Sequence, residues 1–429
     1  MYVCLFEDDI VRHLAPLTDT RAVYDLRTGP QTLGRQAARA IGASDILLHA
    51  RPSVAEVSAR ENAALVNRIP GAIGVLFVNG RVVLTQGSAA AERIGSLAGA
   101  DTPLLLESGG SVVAAWLPDA SGMRLDAGPL GVEAFHPAGG GTVRSESIDE
   151  VPMVSRVWHL IDGIGEAIDD EFRHRARGYN IYERPGTTIH DTAVLEEGES
   201  IIVGTGATIR AGAIVDAGTG AVVIDDGATV FERAVIRGPA YIGPGSHVKI
   251  GAHLESVVIG PRCKVAGEIH DTIIHSCSNK AHDGFLGNAY IGRWCNLGAA
   301  TNNSNLKNDY GNVHLYNVTT GVEEDTGRQF VGLFMGDHSK CSIGTTFNTG
   351  TVVGVACNLY GAGFHPRYVP SFSWGSPERY TTYRLEKALA VAERVMRRRQ
   401  IEMGDADREL LRAAFEASTG DRDAFVRGA

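Results

Sequence analysis

Between residues 189 and 297 aliphatic side chains recur in runs with a six-residue step. Ile224, Val230, Ile236, Ile242 and Val248 form an unbroken series. The same step links Ile189, Leu195 and Ile201, then Ile209 and Val215, Ile259 and Val265, and Ile291 and Leu297. A six-residue period fits neither the turn of an α-helix nor the two-residue alternation of a half-buried strand. It matches a hexapeptide repeat. Each hexapeptide supplies a short strand and a turn, three close a triangular coil, and the aliphatic side chains stack inside the prism. Glycine follows the aliphatic residue in Ile242-Gly-Pro-Gly and Ile259-Gly-Pro-Arg, where a corner has to turn with φ > 0. Left-handed coiling is expected of such repeats, against the usual right-handed crossover.

The rest of the chain is organised around this segment. Residues 1–150 read as an α/β domain, with apolar runs at Tyr2–Phe6, Ile46–His49 and Ile73–Val78 and a helical stretch at Ser53–Asn67. A Gly139-Gly140-Gly141 turn precedes a single apolar stripe of Val154, Val157, Ile161, Ile164 and Ile168, which predicts a helix over about 152–176 inside a connecting segment, 151–185. The β-helix is expected over 186–365. It is interrupted by a polar loop at Thr301–Asp325 and resumes at Val331–Val355. A helical tail, 366–429, follows, with Leu385, Leu389, Ala392, Val395 and Met396 on one helix face and a final helix near Ala406–Ser418.

Composition excludes several functions. Of 429 residues 52 are Gly and 16 Pro, so the glycine belongs to coil corners rather than to a Pro/Gly linker. A formal charge of −10 argues against a nucleic-acid surface, and the compact basic run Arg397-Arg398-Arg399 reads as a solvated helix end. Six scattered cysteines without a C-x-x-C spacing suggest small buried residues of a reduced protein, neither a zinc site nor a disulfide scaffold. With no 18-residue apolar run, a soluble cytoplasmic protein with no membrane partner is expected.

Polar chemistry concentrates in three stretches: Ser278-Asn-Lys-Ala-His282-Asp-Gly-Phe-Leu-Gly287, Asn296 to Gly311, and Met335-Gly-Asp-His-Ser-Lys340. An imidazole titrating near neutrality can serve as a general base. His282, in the densest run, is the candidate. His338 fits a functional or a structural reading equally, and His253, His270 and His275 read as structural.

These stretches, together with Gly292-x-Trp-x-Asn-Leu-Gly-Ala299 and the N-terminal runs Pro16-Leu-Thr-Asp-Thr-Arg21 and Asp25-Leu-Arg-Thr-Gly29, resemble the GlmU-like family. That family joins a UDP-N-acetylglucosamine pyrophosphorylase to a glucosamine-1-phosphate N-acetyltransferase. The chain is most similar to its alternate branch of sugar nucleotidyltransferases. The resemblance implies a nucleotidyltransferase-like α/β domain, a left-handed β-helix and a helical tail, assembled as a homotrimer. It implies acetyl-CoA as acyl donor, an amino sugar phosphate or nucleotide sugar as substrate, and Mg²⁺ if the nucleotidyltransferase site is active. By position in the shared runs, His282 would be the catalytic base. Lys280, Asn305 and Lys307 would bind the sugar phosphate, and Ala299 and Ser339 would contact acetyl-CoA. Two positions depart from the family: Phe285 stands for a tyrosine, and His270 for a phosphate-binding lysine.

The N-terminal domain lacks the family's Gly-rich nucleotide loop, and no lysine occurs before Lys249. Any phosphate clamp there must come from arginine, for which Arg21 and Arg27 flanking Asp25 are the candidates, as phosphate ligands or as structural ion-pair partners. Asp8 and Asp9, at the end of the first strand, suit a Mg²⁺ ligand or a solvated turn; no protein-held metal centre is expected. Three functions remain open: an acetyltransferase with possible nucleotidyl transfer, a nucleotidyltransferase with a non-catalytic β-helix, and an inactive sugar-nucleotide-binding scaffold.

Overall fold

The computed structural model describes residues 1–125, 128–136, 143–149, 151–176 and 185–428; the Gly139–Gly141 turn lies outside them. The chain divides into two compact units. The first comprises residues 1–14, 20–27 and 31–156, and the second residues 15–19, 28–30 and 157–429.

The first unit is an α/β sheet of seven strands. Across it run Leu65–Val66, Asp45–Leu48, Tyr2–Phe6, Val75–Asn79, Ser111–Leu117, Leu104–Ser108 and Arg144–Ser147. The first four are mutually parallel, and Ser111–Leu117 enters antiparallel. Parallel strands buried on both faces need continuous apolar runs, and Val75–Val78 are fully buried. Thr32 caps the helix Leu33–Ile41 by accepting from the Arg35 N–H, and Gly42 ends it at φ 72°. The helix expected at 53–67 is Pro52–Asn62, stopped where Ala63 takes φ 50°.

The second unit contains a parallel β-helix, its coils stacked strand on strand. Its interior is lined by the six-residue series: Ile224, Val230, Ile236, Ile242 and Val248 are all fully buried and belong to one continuous core. Neighbouring coils pair in parallel, as where Val230 registers with Ile209 and Val248. Three serines pin the coils from inside. Ser246, Ser278 and Ser339 each donate to a glycine carbonyl of the next coil (Gly260, Gly292, Gly354) and accept from the N–H of Cys263, Cys295 and Cys357. All six cysteines are buried and free. At Gly260 an added Cβ would overlap the His275 carbonyl, so the close approach of coils requires glycine there.

Three local expectations change. The stripe at 152–176 forms two helices, His159–Asp162 and Ile164–Arg175, broken at Gly163. The polar interruption is not a bare loop: Asn302–Asn303 still pairs with Thr346–Phe347, and His314–Asn317 with Val322–Asp325 makes an antiparallel hairpin. The tail holds three helices, Leu385–Arg397, Asp405–Ala417 and Thr419–Gly428, the last without an apolar stripe to announce it.

Candidate functional site

The coil that carries His282 is built differently from those before it. Counting six from Ile274 reaches Lys280, and six more reaches Leu286, so Lys280 occupies the inward position. Its strand pairs Lys280 with Val265, and the side chain is only 1% exposed. A buried ammonium must find acceptors. This one donates to the carbonyls of Ala266 (3.2 Å), His282 (2.9 Å) and Asp283 (3.0 Å). Burial lowers its pKa to about 8, the neighbouring Asp283 opposing the shift. Two of its three acceptors belong to the turn Ala281–Gly284. Lys280 therefore fixes that turn from within, and His282 stands exposed on its outer side. Gly284 closes the turn at φ 110°, with the Thr301 carbonyl occupying the place of a Cβ.

The next strand, Phe285–Gly287, pairs with the preceding coil, but on its other side asparagine side chains replace the backbone ladder. Asn302 Oδ1 accepts from the Phe285 N–H (2.7 Å), and Asn303 both accepts from the Gly287 N–H and donates to its carbonyl (2.9 Å each). Asn305 Nδ2 donates to Asn288 Oδ1 (2.7 Å) and lies over Gly287 beside the Phe285 ring. Register sets His270 beside Gly287 and Glu255 beside His270. The His270 ring is 6.0 Å from that of Phe285 and 5.1 Å from that of His253. These side chains form one outward face. On it, His253, Glu255 and His270 bring one ligand-type atom each within 4.8 Å of one another, a set able to hold a divalent cation.

The predicted site residues fall in distinct places. His282 and Asn305 belong to this region of adjoining coils. Lys307, half-buried, pairs with Asp309 (3.2 Å) in the loop that follows. Ala299 is at a coil corner, its carbonyl accepting from the Gly344 N–H. Ser339 is fully buried, its hydroxyl engaged by Gly354 and Cys357 in the serine series, and Lys280 likewise presents its ammonium to the chain's own carbonyls. His338 stacks on Trp294 (6.1 Å, 23°), and burial lowers its pKa to about 3, so it is neutral and packed. His275 is buried against the Ser276 hydroxyl.

In the first unit, ligands of an open parallel sheet bind beyond the carboxyl ends of its strands. There Glu7, fully buried, accepts from the N–H groups of Val23 and Arg51 and from the Arg51 side chain. Asp8 is gripped by Arg81 through both oxygens and by Asn79, so it is neither a solvated turn nor an open cation ligand. Asp9 is exposed and paired with Arg12. His49 is buried, and burial lowers its pKa to about 4. Arg21 is buried near Asp25, whose carboxyl burial raises to about 6, while Arg27 is half-buried and bridges to Thr32.

Residues 3–179 match the family model described as sugar nucleotidyl transferase. The bifunctional protein GlmU of Cyanothece sp. is 25% identical over 186 residues, which is 40% of this chain and 39% of that protein. That of Bartonella quintana is 30% identical over 142 residues, 33% of this chain and 27% of that protein. The matched stretches thus span about two fifths or less of these relatives. Among solved structures, UDP-N-acetylglucosamine acyltransferase from Campylobacter jejuni is similar at 14% identity, covering 52% of this chain and 94% of that one with a TM-score of 0.29. The α/β portion thus matches the sugar nucleotidyl transferase family model, and part of the chain is similar to GlmU proteins.

Proposed function

We propose that the β-helix transfers an acetyl group from acetyl-CoA to an amino sugar phosphate or a nucleotide-linked amino sugar. The observation that carries this reading is the exposed His282 on a turn pinned from inside by Lys280, next to a face of His270, Phe285 and Asn305. Its imidazole would take a proton from the amine as the nitrogen attacks the thioester carbonyl. A tetrahedral oxyanion would form, the C–S bond would break and the CoA thiolate would leave. Asn305 and Lys307 would hold the sugar phosphate, Lys307 as a point charge. Ala299 would meet the acyl donor through its corner backbone. Lys280 and Ser339, both buried, support the acyl site by fixing coils. Phe285 has no hydroxyl for the acceptor, and His270 stands where the family has a phosphate-binding lysine, so an acceptor other than glucosamine 1-phosphate suits this face. Such β-helices present acyl-CoA sites between neighbouring copies, and a homotrimer completes the proposal.

The test is thiol release from acetyl-CoA across a panel of amino sugar phosphates and nucleotide amino sugars. Release with at least one acceptor is expected; no release with any removes the reading.

A second reading, favoured by the family match over residues 3–179, is sugar-1-phosphate nucleotidyl transfer by the α/β portion, with Arg21 and Arg27 gripping phosphates. Mg²⁺ on Asp8 does not fit, because Arg81 and Asn79 already hold both carboxylate oxygens. Pyrophosphate release from a nucleoside triphosphate and a sugar 1-phosphate tests it. Release that persists after Arg27→Gln would remove Arg27 from the clamp.

A further inference from the structure

The arginine run of the tail is only partly solvated: Arg397 and Arg398 are exposed, while Arg399 is half-buried against the coils. The helix Leu385–Arg397 packs over one face of the β-helix, with Met396 against Cys277 and Trp294. Between them lies a cavity of about 370 Å³, within the range of small-ligand pockets. The register of successive coils puts His247, Lys264, Asn279, Asn296 and Lys340 in one outward column along this face. Lys264 and Lys340 enter the cavity from the coils, and Arg398 and Arg399 from the end of the helix. Arg399 is held in place by donating to Asn279 Oδ1 at 2.7 Å. Trp294, backed by His338, forms an apolar wall.

No carboxylate lines this cavity among the described residues. Four cations face it, and the Lys264 ammonium is disfavoured first by burial and then by Arg399, Lys249 and Arg398. Like charges gathered without a counter-charge raise the free energy of the folded chain, and a bound anion relieves it. Lysine as a point charge and arginine as a fork suit phosphate oxygens, and the coil spacing of about 4.8 Å spreads Lys264 and Lys340 over roughly 14 Å. That span and the confined volume favour a small extended molecule over a nucleic acid.

We propose that the cavity between the coil face of Lys264, Asn296 and Lys340 and the end of the tail helix at Arg398 and Arg399 binds a small ligand through a phosphate or pyrophosphate group. This site is separate from the His282 turn and does not depend on acyl transfer.

Isothermal titration of the full chain with inorganic pyrophosphate is the test. One site per chain is expected. Lys264→Met combined with Arg398→Gln should weaken binding by about tenfold or more, while the far-UV spectrum stays unchanged. Arg12→Gln, exposed in the first unit, should bind like wild type. No binding by wild type, equal binding by the Lys264/Arg398 variant, or a loss caused by Arg12→Gln overturns the proposal. None of these outcomes bears on thiol release from acetyl-CoA.

Discussion

Two stretches of the same β-helix show how one architecture serves stability and chemistry. From Ile224 to Val248 the six-residue series is aliphatic throughout, and its strands pair through their backbones. From Ala266 to Asn305 one inward position is Lys280, and asparagine side chains take over the ladder of Phe285–Gly287. Both stretches keep the coil, because in a solenoid each repeat answers only to its neighbours. A local replacement can therefore be tolerated where regular coils on both sides hold the frame. The first stretch supplies rigidity; the second trades part of it for polar groups fixed in place.

The comparison can be broken by substitution in either stretch. Ile236→Ala, in the regular coils, should cost about 2–5 kcal/mol through lost burial and the cavity left behind, read by denaturant unfolding. Asn303→Ala, in the polar coils, leaves the Gly287 N–H and carbonyl without their partner. It should cost about 1–3 kcal/mol and speed amide exchange at Phe285–Gly287, with the coils at Ile224–Val248 unaffected.

The smallest effect concerns pH. The Lys280 pKa is lowered to about 8 in the folded chain from 10.5, so between those values the unfolded chain binds more protons. Stability should then rise as pH goes from about 8 to about 10.5, by at most about 1.4 kcal/mol per pH unit from this one group. Below pH 8 both states are charged and the burial penalty is complete. Lys280→Met should flatten that rise in unfolding titrations, Lys340 contributing a similar slope that remains. An unchanged profile would mean that Lys280 is not held buried and charged.

Much of this was legible in the sequence. The six-residue period located the coils because a prism interior admits little besides aliphatic side chains, and the scattered cysteines without a C-x-x-C spacing are buried as expected. The same period contained a signal that motif reading passed over. Lys280 is in phase with Ile274 and Leu286, which places its side chain inside rather than on a substrate. Ser339 likewise shares its coil position with Ser246 and Ser278, which lie 32 residues and two coils apart, a spacing that the later loop breaks before Ser339. His253 and His270 were harder to place. Their meeting depends on the register between coils, which no spacing within one strand reveals. The pocket at Lys264, Lys340 and Arg399 required the tail helix to fold back over the coils, a tertiary contact without local signature.

His282→Ala, measured as thiol release from acetyl-CoA with the best acceptor, tests the central claim most directly. The side chain is exposed and its turn is held through Lys280, so the variant should retain the wild-type unfolding midpoint. Its rate should fall by about 10²–10⁴-fold, the usual contribution of a general base. A variant that folds like wild type and transfers acetyl groups at the wild-type rate would contradict the account.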